Sequence, residues 1–248
     1  MSNQVSTVLN LLLRGESLTS SQARKMMLEL ISGQCLDSQI AGLLIALRQK
    51  GETATEIAGM AQAMREKARQ VKVDCPVFDC CGTGGDEANT FNISTAVALV
   101  LAAGGVKVAK HGNRSVSSKC GSADVLEALG IRIDTAPEHI PDYLEKTDFA
   151  FMFAPHYHPA VKHVMMVRKA LGVRTVFNIL GPLCNPASAS RQVIGVFAQE
   201  LTPLIAEVLN LLGLKRALVV HGSGMDEIAL HATTQISELR DGLVRTYT

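Results

Sequence analysis

From about Val77 onward, short β-rich runs alternate with helix-like stretches, and this alternation restricts the chain more than any other feature. "PVFD", "VKVAKHG", "FAFMFAP", "RTVFNIL", "QVIGVF" and "ALVVHG" read as buried strands, with "TAVALVLAAGG", "SADVLEALG" and "LTPLIAEVLNLLG" as helices between them. Such a pattern predicts a largely parallel sheet covered by helices. Ligands of such sheets bind beyond the carboxyl ends of the strands, so the loops after these runs are the places to look for chemistry.

The first seventy or so residues have another texture. Gly15, Gly33 and Gly51 punctuate them at even intervals, and "TSSQ" (Thr19 to Gln22) and "TATE" (Thr53 to Glu56) have the form of capping boxes. Apolar positions such as Met27, Leu30 and Ile31, or Leu43, Leu44 and Leu47, recur with helical period. Four short helices of this kind rarely enclose a core alone, so the unit is expected to pack against the rest of the chain or a second copy of itself. The expected division is a helical domain over 1–72 and an α/β domain over 73–248. Met26, Met27, Met165 and Met166 read as helix core.

With 248 residues the chain can bury a large core, and its formal net charge of +1 is spread along the sequence. That balance argues against a nucleic-acid-binding surface or a polybasic membrane patch, so an anionic ligand must be met by a local site. The start "MSNQVSTVLNLLLRGES" lacks the features of a signal peptide, and no apolar run approaches membrane-spanning length. A cytoplasmic protein is expected. The six cysteines show no CxxC spacing and read as reduced thiols.

Three loops carry candidate chemistry. In "DCCGTGGDEANTFNIST", Gly82, Gly84 and Gly85 allow positive φ and close approach, so successive N–H groups can form an anion-binding concavity. Asn92, Ser94 and Thr95 then open a helix whose free N–H groups favour phosphate. Taken alone, this loop is equally a tight strand-to-helix turn. In "KHGNRSVSSKCGS", Lys110, His111, Asn113, Arg114, Ser115, Ser117, Ser118 and Lys119 gather the cations and hydroxyls that a phosphate ester needs. In "HGSGMDEIAL", Asp226 and Glu227 stand side by side, as Mg²⁺ ligands or as the acidic first turn of a helix.

"GTGGD", "NIST", "KHGNRSVSS", "FAPHYHPA", "VRKALGVRTVFNILGPLCNP" and "HGSGMDE" follow the order and wording of one family, and their span is about the whole chain. The sequence resembles the anthranilate phosphoribosyltransferases of tryptophan biosynthesis. That resemblance implies an α/β class of nucleoside phosphorylase/phosphoribosyltransferase-like architecture: a small helical domain that dimerises, and a larger domain with a mostly parallel sheet. It implies transfer of the 5-phosphoribosyl group of phosphoribosyl pyrophosphate to the amine of anthranilate, with residues 159–185 near a hinge where the substrates meet.

Carried over by motif, the resemblance implies a phosphoribosyl pyrophosphate site at Gly82, Gly85, Asp86, Thr90, Asn92, Ile93, Ser94, Thr95, Lys110, His111, Gly112, Asn113, Arg114, Ser115, Val116, Ser117, Ser118 and Ser122. It implies Mg²⁺ at Ser94, Asp226 and Glu227, and anthranilate near Gly82, His111, Asn113, Tyr157 and Arg168, with Arg168 answering the carboxylate. No general base is assigned, because an aromatic amine is nucleophilic when neutral; His139, His156, His158, His163 and His231 read as packed or solvated.

The sequence departs from the family's pattern in two ways. Cys81 and Cys120 stand where an aliphatic and a small residue are expected. The family also continues past "LVRTYT" with further strands and helices, so the C-terminal part of the large domain is expected to be missing. Two alternatives are a pyrimidine nucleoside phosphorylase, whose lysine- and serine-containing glycine loop "CCGTGGDE" does not match, and a nucleic-acid-binding relative, which would need a basic face.

Overall fold

The computed structural model describes residues 3–86, 88, 90–114 and 120–248. The chain begins with α1 (Asn3–Leu13), α2 (Ser20–Leu30), α3 (Asp37–Lys50) and α4 (Ala54–Lys67), followed by β1 (Phe78–Gly82), α5 (Ile93–Ala103), β2 (Val108–Gly112) and α6 (Ser122–Ala128). Next come α7 (Ile140–Thr147), β3 (Phe149–Phe153), α8 (Ala154–Tyr157), α9 (Lys162–Leu171) and α10 (Phe177–Leu180). β4 (Arg191–Gly195), α11 (Leu201–Leu211), β5 (Arg216–Gly222), β6 (Thr234–Arg240) and β7 (Leu243–Tyr247) complete it. These elements form two compact units, Met1–Ala68 with His158–Cys184, and Arg69–Tyr157 with Asn185–Thr248.

Both expected capping boxes are formed in the helical unit. Thr19 Oγ1 accepts the Gln22 N–H at 3.3 Å while Gln22 Oε1 accepts the Thr19 N–H at 2.9 Å. Thr53 and Glu56 do the same at the start of α4. Met26, Met27, Leu30, Leu43, Leu44, Leu47, Ile57 and Met60 form the buried core. The second segment finishes it: Arg65 Nε donates to the Leu183 carbonyl and Arg48 Nη1 to the Arg174 carbonyl, both at 2.7 Å.

Two expectations are corrected here. "RTVFNIL" is not a strand: its last four residues are α10, within the helical unit. The Thr175 N–H donates to Asn178 Oδ1 and the Asn178 N–H to the Thr175 carbonyl, each at 2.9 Å, which closes the backbone locally and leaves no ladder to make. A short apolar run buried on all sides has no period to separate helix from strand. Met165 and Met166 are exposed, at 43% and 72%, because the buried stripe of α9 is Val164 and Val167. A three-residue step keeps those two on one face and turns the methionines away.

The second unit holds one seven-stranded sheet in the order β3-β2-β1-β4-β5-β6-β7. β3 to β5 run parallel, and β6 and β7 add an antiparallel edge. Alternate residues of β2 and β3 supply two apolar layers. Ala109, Ala150 and Met152 pack with Ile140 and Leu144 on one face, while Val108, Phe149 and Phe151 pack with Ala98, Ala123 and Leu126 on the other. The β6–β7 hairpin turns at Asp241 and Gly242, both at positive φ, the geometry a two-residue hairpin needs. From β1 the chain winds out through β2 to β3, then returns to place β4 on the other side of β1. The reversal puts a crevice at the carboxyl ends of β1 and β4, where Gly82 pairs with Gly195.

Candidate active site

Three neighbouring strands end in glycine at this crevice, and each glycine makes room for one segment. A Cβ on Gly82 would lie 2.2 Å from Asp226 Oδ2, one on Gly195 1.5 Å from the Asp226 carbonyl oxygen, and one on Gly222 2.5 Å from the Glu227 carbonyl oxygen. The segment carrying Asp226 and Glu227 therefore lies directly over the ends of β1, β4 and β5. Any side chain at the three positions would push it off.

The glycine loop meets the acids from the other direction. Gly84 and Gly85 have φ of 64° and 75°, consecutive left-handed residues of the kind from which anion-binding N–H concavities are built. The Gly84 N–H donates to Asp226 Oδ2 at 2.8 Å, and the Asp226 N–H donates to Asp86 Oδ2 at 3.3 Å. Ser94, in the first turn of α5, donates its hydroxyl to Glu227 Oε1 at 2.8 Å. Burial pushes the Asp226 carboxyl up to about 6, helped by the charges of Asp86 and Glu227 and opposed by the Gly84 N–H. Glu227 is raised by burial and held back by the Ser94 bonds and the charge of Lys110. Crowded carboxylates of this kind want a cation.

Lys110 and His111 lie in the second half of β2, beside β1. Lys110 is 2% exposed and donates from Nζ to the Cys80 carbonyl; the His111 N–H donates to Asp79 Oδ1 at 3.2 Å. Asp79, which sequence reasoning did not single out, is wholly buried and accepts Asn185 Nδ2 at 2.8 Å. Burial raises its pKa, and the charge of Lys110 and the Asn185 hydrogen bond bring it partly back. An acid inside an apolar strand, "FDCC", was the available signal.

Gly112 is another close approach, with Ser122 Oγ 2.4 Å from where its Cβ would be. Ser122 Oγ and the Ala123 N–H both donate to the Asn113 carbonyl, at 3.1 and 3.2 Å. Asn92 Nδ2 donates to the Cys120 carbonyl at 3.2 Å, joining the two loops. Ile93 opens α5, Thr95 is buried in its first turn, and Thr90 is exposed. Arg114 points back to α6, within 2.6 Å of Asp124 and 2.9 Å of Glu127, so its charge is already answered by two acids. Ser115, Val116, Ser117, Ser118 and Lys119 lie outside the described residues.

Tyr157 is wholly buried, and its hydroxyl donates to the Thr135 carbonyl at 2.9 Å. This placement makes it part of the sheet's packing. Arg168 belongs to the helical unit, on α9, where its guanidinium lies over the Phe177 ring. All six cysteines are free thiols, and burial raises both Cys80 and Cys81. Among the described residues no three His, Cys, Asp or Glu side chains form a ready-made metal cage, and no helix is long and apolar enough to cross a membrane.

A helical bundle joined to a mostly parallel sheet, with a glycine cradle and paired acids at the strand ends, defines a two-domain glycosyltransferase. The chain matches the glycosyl transferase family's helical bundle domain over residues 6–68 and its a/b domain over 74–248. It is 52% identical over 244 residues to an anthranilate phosphoribosyltransferase of Desulfosudis oleivorans, covering 98% of this chain and 72% of that one. It is 53% identical over 237 residues to that of Alkaliphilus metalliredigens, covering 95% and 70%. The Thermus thermophilus enzyme of that name superposes with a TM-score of 0.91 at 48% identity, over 97% of this chain and 73% of that one. The Saccharomyces cerevisiae enzyme in complex with PRPP and Mg gives 0.89 at 28%, over 100% and 73%. The chain belongs to the anthranilate phosphoribosyltransferase family. None of these relatives bears the name of a nucleoside phosphorylase or a nucleic-acid-binding protein.

Proposed function

We propose that this protein transfers the 5-phosphoribosyl group of phosphoribosyl pyrophosphate to the amine of anthranilate, releasing pyrophosphate, in the cytoplasm. The observation that carries the reading is the meeting of the Gly82–Asp86 loop with Asp226 and Glu227 at the ends of β1, β4 and β5. The backbone N–H groups of the loop are suited to the donor's phosphates, and Lys110 adds a buried positive charge nearby.

Ser94, Asp226 and Glu227 fit Mg²⁺, which takes one or two carboxylates together with substrate phosphate oxygens and waters. Their hard oxygen donors, with both carboxyls raised chiefly by burial, support this. Bound there, the ion would neutralise charge on the departing pyrophosphate. This chain's residues hold the donor by its phosphates so that its C1 is open to the neutral amine. No side chain is needed to remove a proton before attack. Arg168 is the group we assign to the acceptor's carboxylate. Mixing the protein with Mg²⁺, phosphoribosyl pyrophosphate and anthranilate should abolish anthranilate fluorescence over time. Persistence of the signal at high protein concentration would sink the reading.

We also propose a homodimer through the helical unit. A groove of about 680 Å³ between α1 and α3 is lined by Leu9, Leu12, Leu13, Ala41 and Ile45, and Leu13 is 69% exposed. Apolar surface of this kind on an otherwise compact unit fits a self-complementary contact. A monomeric mass in solution at micromolar concentration would rule it out.

A further inference from the structure

Arg168 is a partly buried cation that forms no ion pair among the described residues. Its guanidinium carbon lies 5.0 Å from the centre of the Phe177 ring, and Nη1 donates to Met165 Sδ at 3.4 Å. Burial lowers its pKa. Both neighbours are soft. An aromatic face attracts a guanidinium without using up its in-plane N–H donors, whereas a carboxylate partner would consume two of them.

The Phe177 ring cannot follow the arginine. It is 7% exposed and opens α10, whose start is pinned by the reciprocal Thr175–Asn178 hydrogen bonds. Val176, Ile179 and Leu180 around it are buried as well. One wall of the arrangement is thus fixed by the core of the helical unit, while the long arginine side chain would otherwise sample many rotamers.

We propose that Phe177 is a positioning residue: its ring fixes the plane of the Arg168 guanidinium and leaves the in-plane N–H donors not used by Met165 to the carboxylate of the aromatic acceptor. This rests on the reading that Arg168 answers that carboxylate. It accounts for an apolar ring beside a substrate-directed cation, where an acid would compete with the ligand.

The test is anthranilate binding, followed by its own fluorescence, with binding of phosphoribosyl pyrophosphate measured alongside. Phe177→Leu should weaken anthranilate about 3–10-fold, the span of a partly desolvated cation–π contact, and leave the donor's Kd unchanged. Phe177→Tyr should restore the wild-type value. Pentafluorophenylalanine at 177 keeps the shape of the ring but reverses its quadrupole, and should weaken anthranilate as leucine does even if Phe177→Leu folds poorly. In an Arg168→Ala background none of these changes should matter. A further loss in that background, or full affinity with the fluorinated ring, overturns the role of Phe177. Failure of wild type to bind anthranilate, or an Arg168→Ala variant with unchanged affinity, overturns the underlying reading of Arg168 instead.

Discussion

Asp226 and Gly84 are 142 residues apart in the chain, yet the Gly84 N–H donates to the Asp226 carboxylate at 2.8 Å. The acid occupies one of the glycine loop's N–H donors. Loop and acids therefore act as one device, and removing charge from the acid tests whether a cation links them to the donor. Asp226→Asn keeps an acceptor for Gly84 but lowers the site's charge. Its donor affinity without Mg²⁺ should equal or exceed that of wild type, and the gain from adding Mg²⁺ should largely vanish. Calorimetric titration of donor into both proteins, with and without the ion, decides it. Identical Mg²⁺ dependence would leave the acids as a structural turn.

Gly195→Ala should be far more damaging than its size suggests. The new methyl would sit 1.5 Å from the Asp226 carbonyl oxygen, a backbone atom that cannot rotate away. Displacing the segment by about an ångström should lower turnover on the order of 100-fold and cost about 1–3 kcal/mol of stability. Gly181→Ala, where a Cβ meets nothing within 4 Å, serves as the control. Equal behaviour of the two variants would refute the tight fit.

Glu56 anchors the helical unit through more than its capping box. It is fully buried, accepts the Leu18 and Thr53 N–H groups at 2.8 Å, and pairs with Lys50 at 2.9 Å. Although burial raises its pKa, those hydrogen bonds outweigh burial and the net shift is downward. Glu56→Ala strands a buried ammonium and two N–H groups, so a loss of about 3–5 kcal/mol is expected in thermal or urea unfolding. A loss below about 1 kcal/mol would show that Lys50 finds water instead.

His158 gives the helical unit a pH dependence of known sign. Burial holds its imidazole at about 4, against hydrogen bonds to Cys184 and Met64 that favour the charged form. The folded pKa lies below the ordinary value near 6.5. Its stabilising contribution is therefore complete above that value and is lost as pH falls through 6.5 toward 4, to a total of about 3 kcal/mol. Urea midpoints between about pH 7 and pH 4.5 should fall more steeply for wild type than for His158→Asn. Parallel curves would remove His158 from the account.

What could be read in advance was whatever is decided within a few residues. The boxes at Thr19 and Thr53 and most of the strands follow from local hydrogen bonds and side-chain period. The 177–180 helix did not, because a short run buried on every side shows no period. Nor did the hold of Asp226 on Gly84, the tie of Lys110 to the Cys80 carbonyl, or the turning of Arg114 to α6. Each depends on which strand ends the sheet order brings together, and composition carries no trace of that.

The helical unit is built from two stretches of chain, and that has a consequence for synthesis. Residues 1–68 emerge from the ribosome first, but Val164, Val167 and Leu183, which finish their core, follow roughly a hundred residues later. At about 5–20 residues per second the early helices wait on the order of 5–20 s with part of their apolar surface uncovered. A nascent chain arrested before residue 158 should be sensitive to protease in α3 and α4, and one released past residue 184 should be protected.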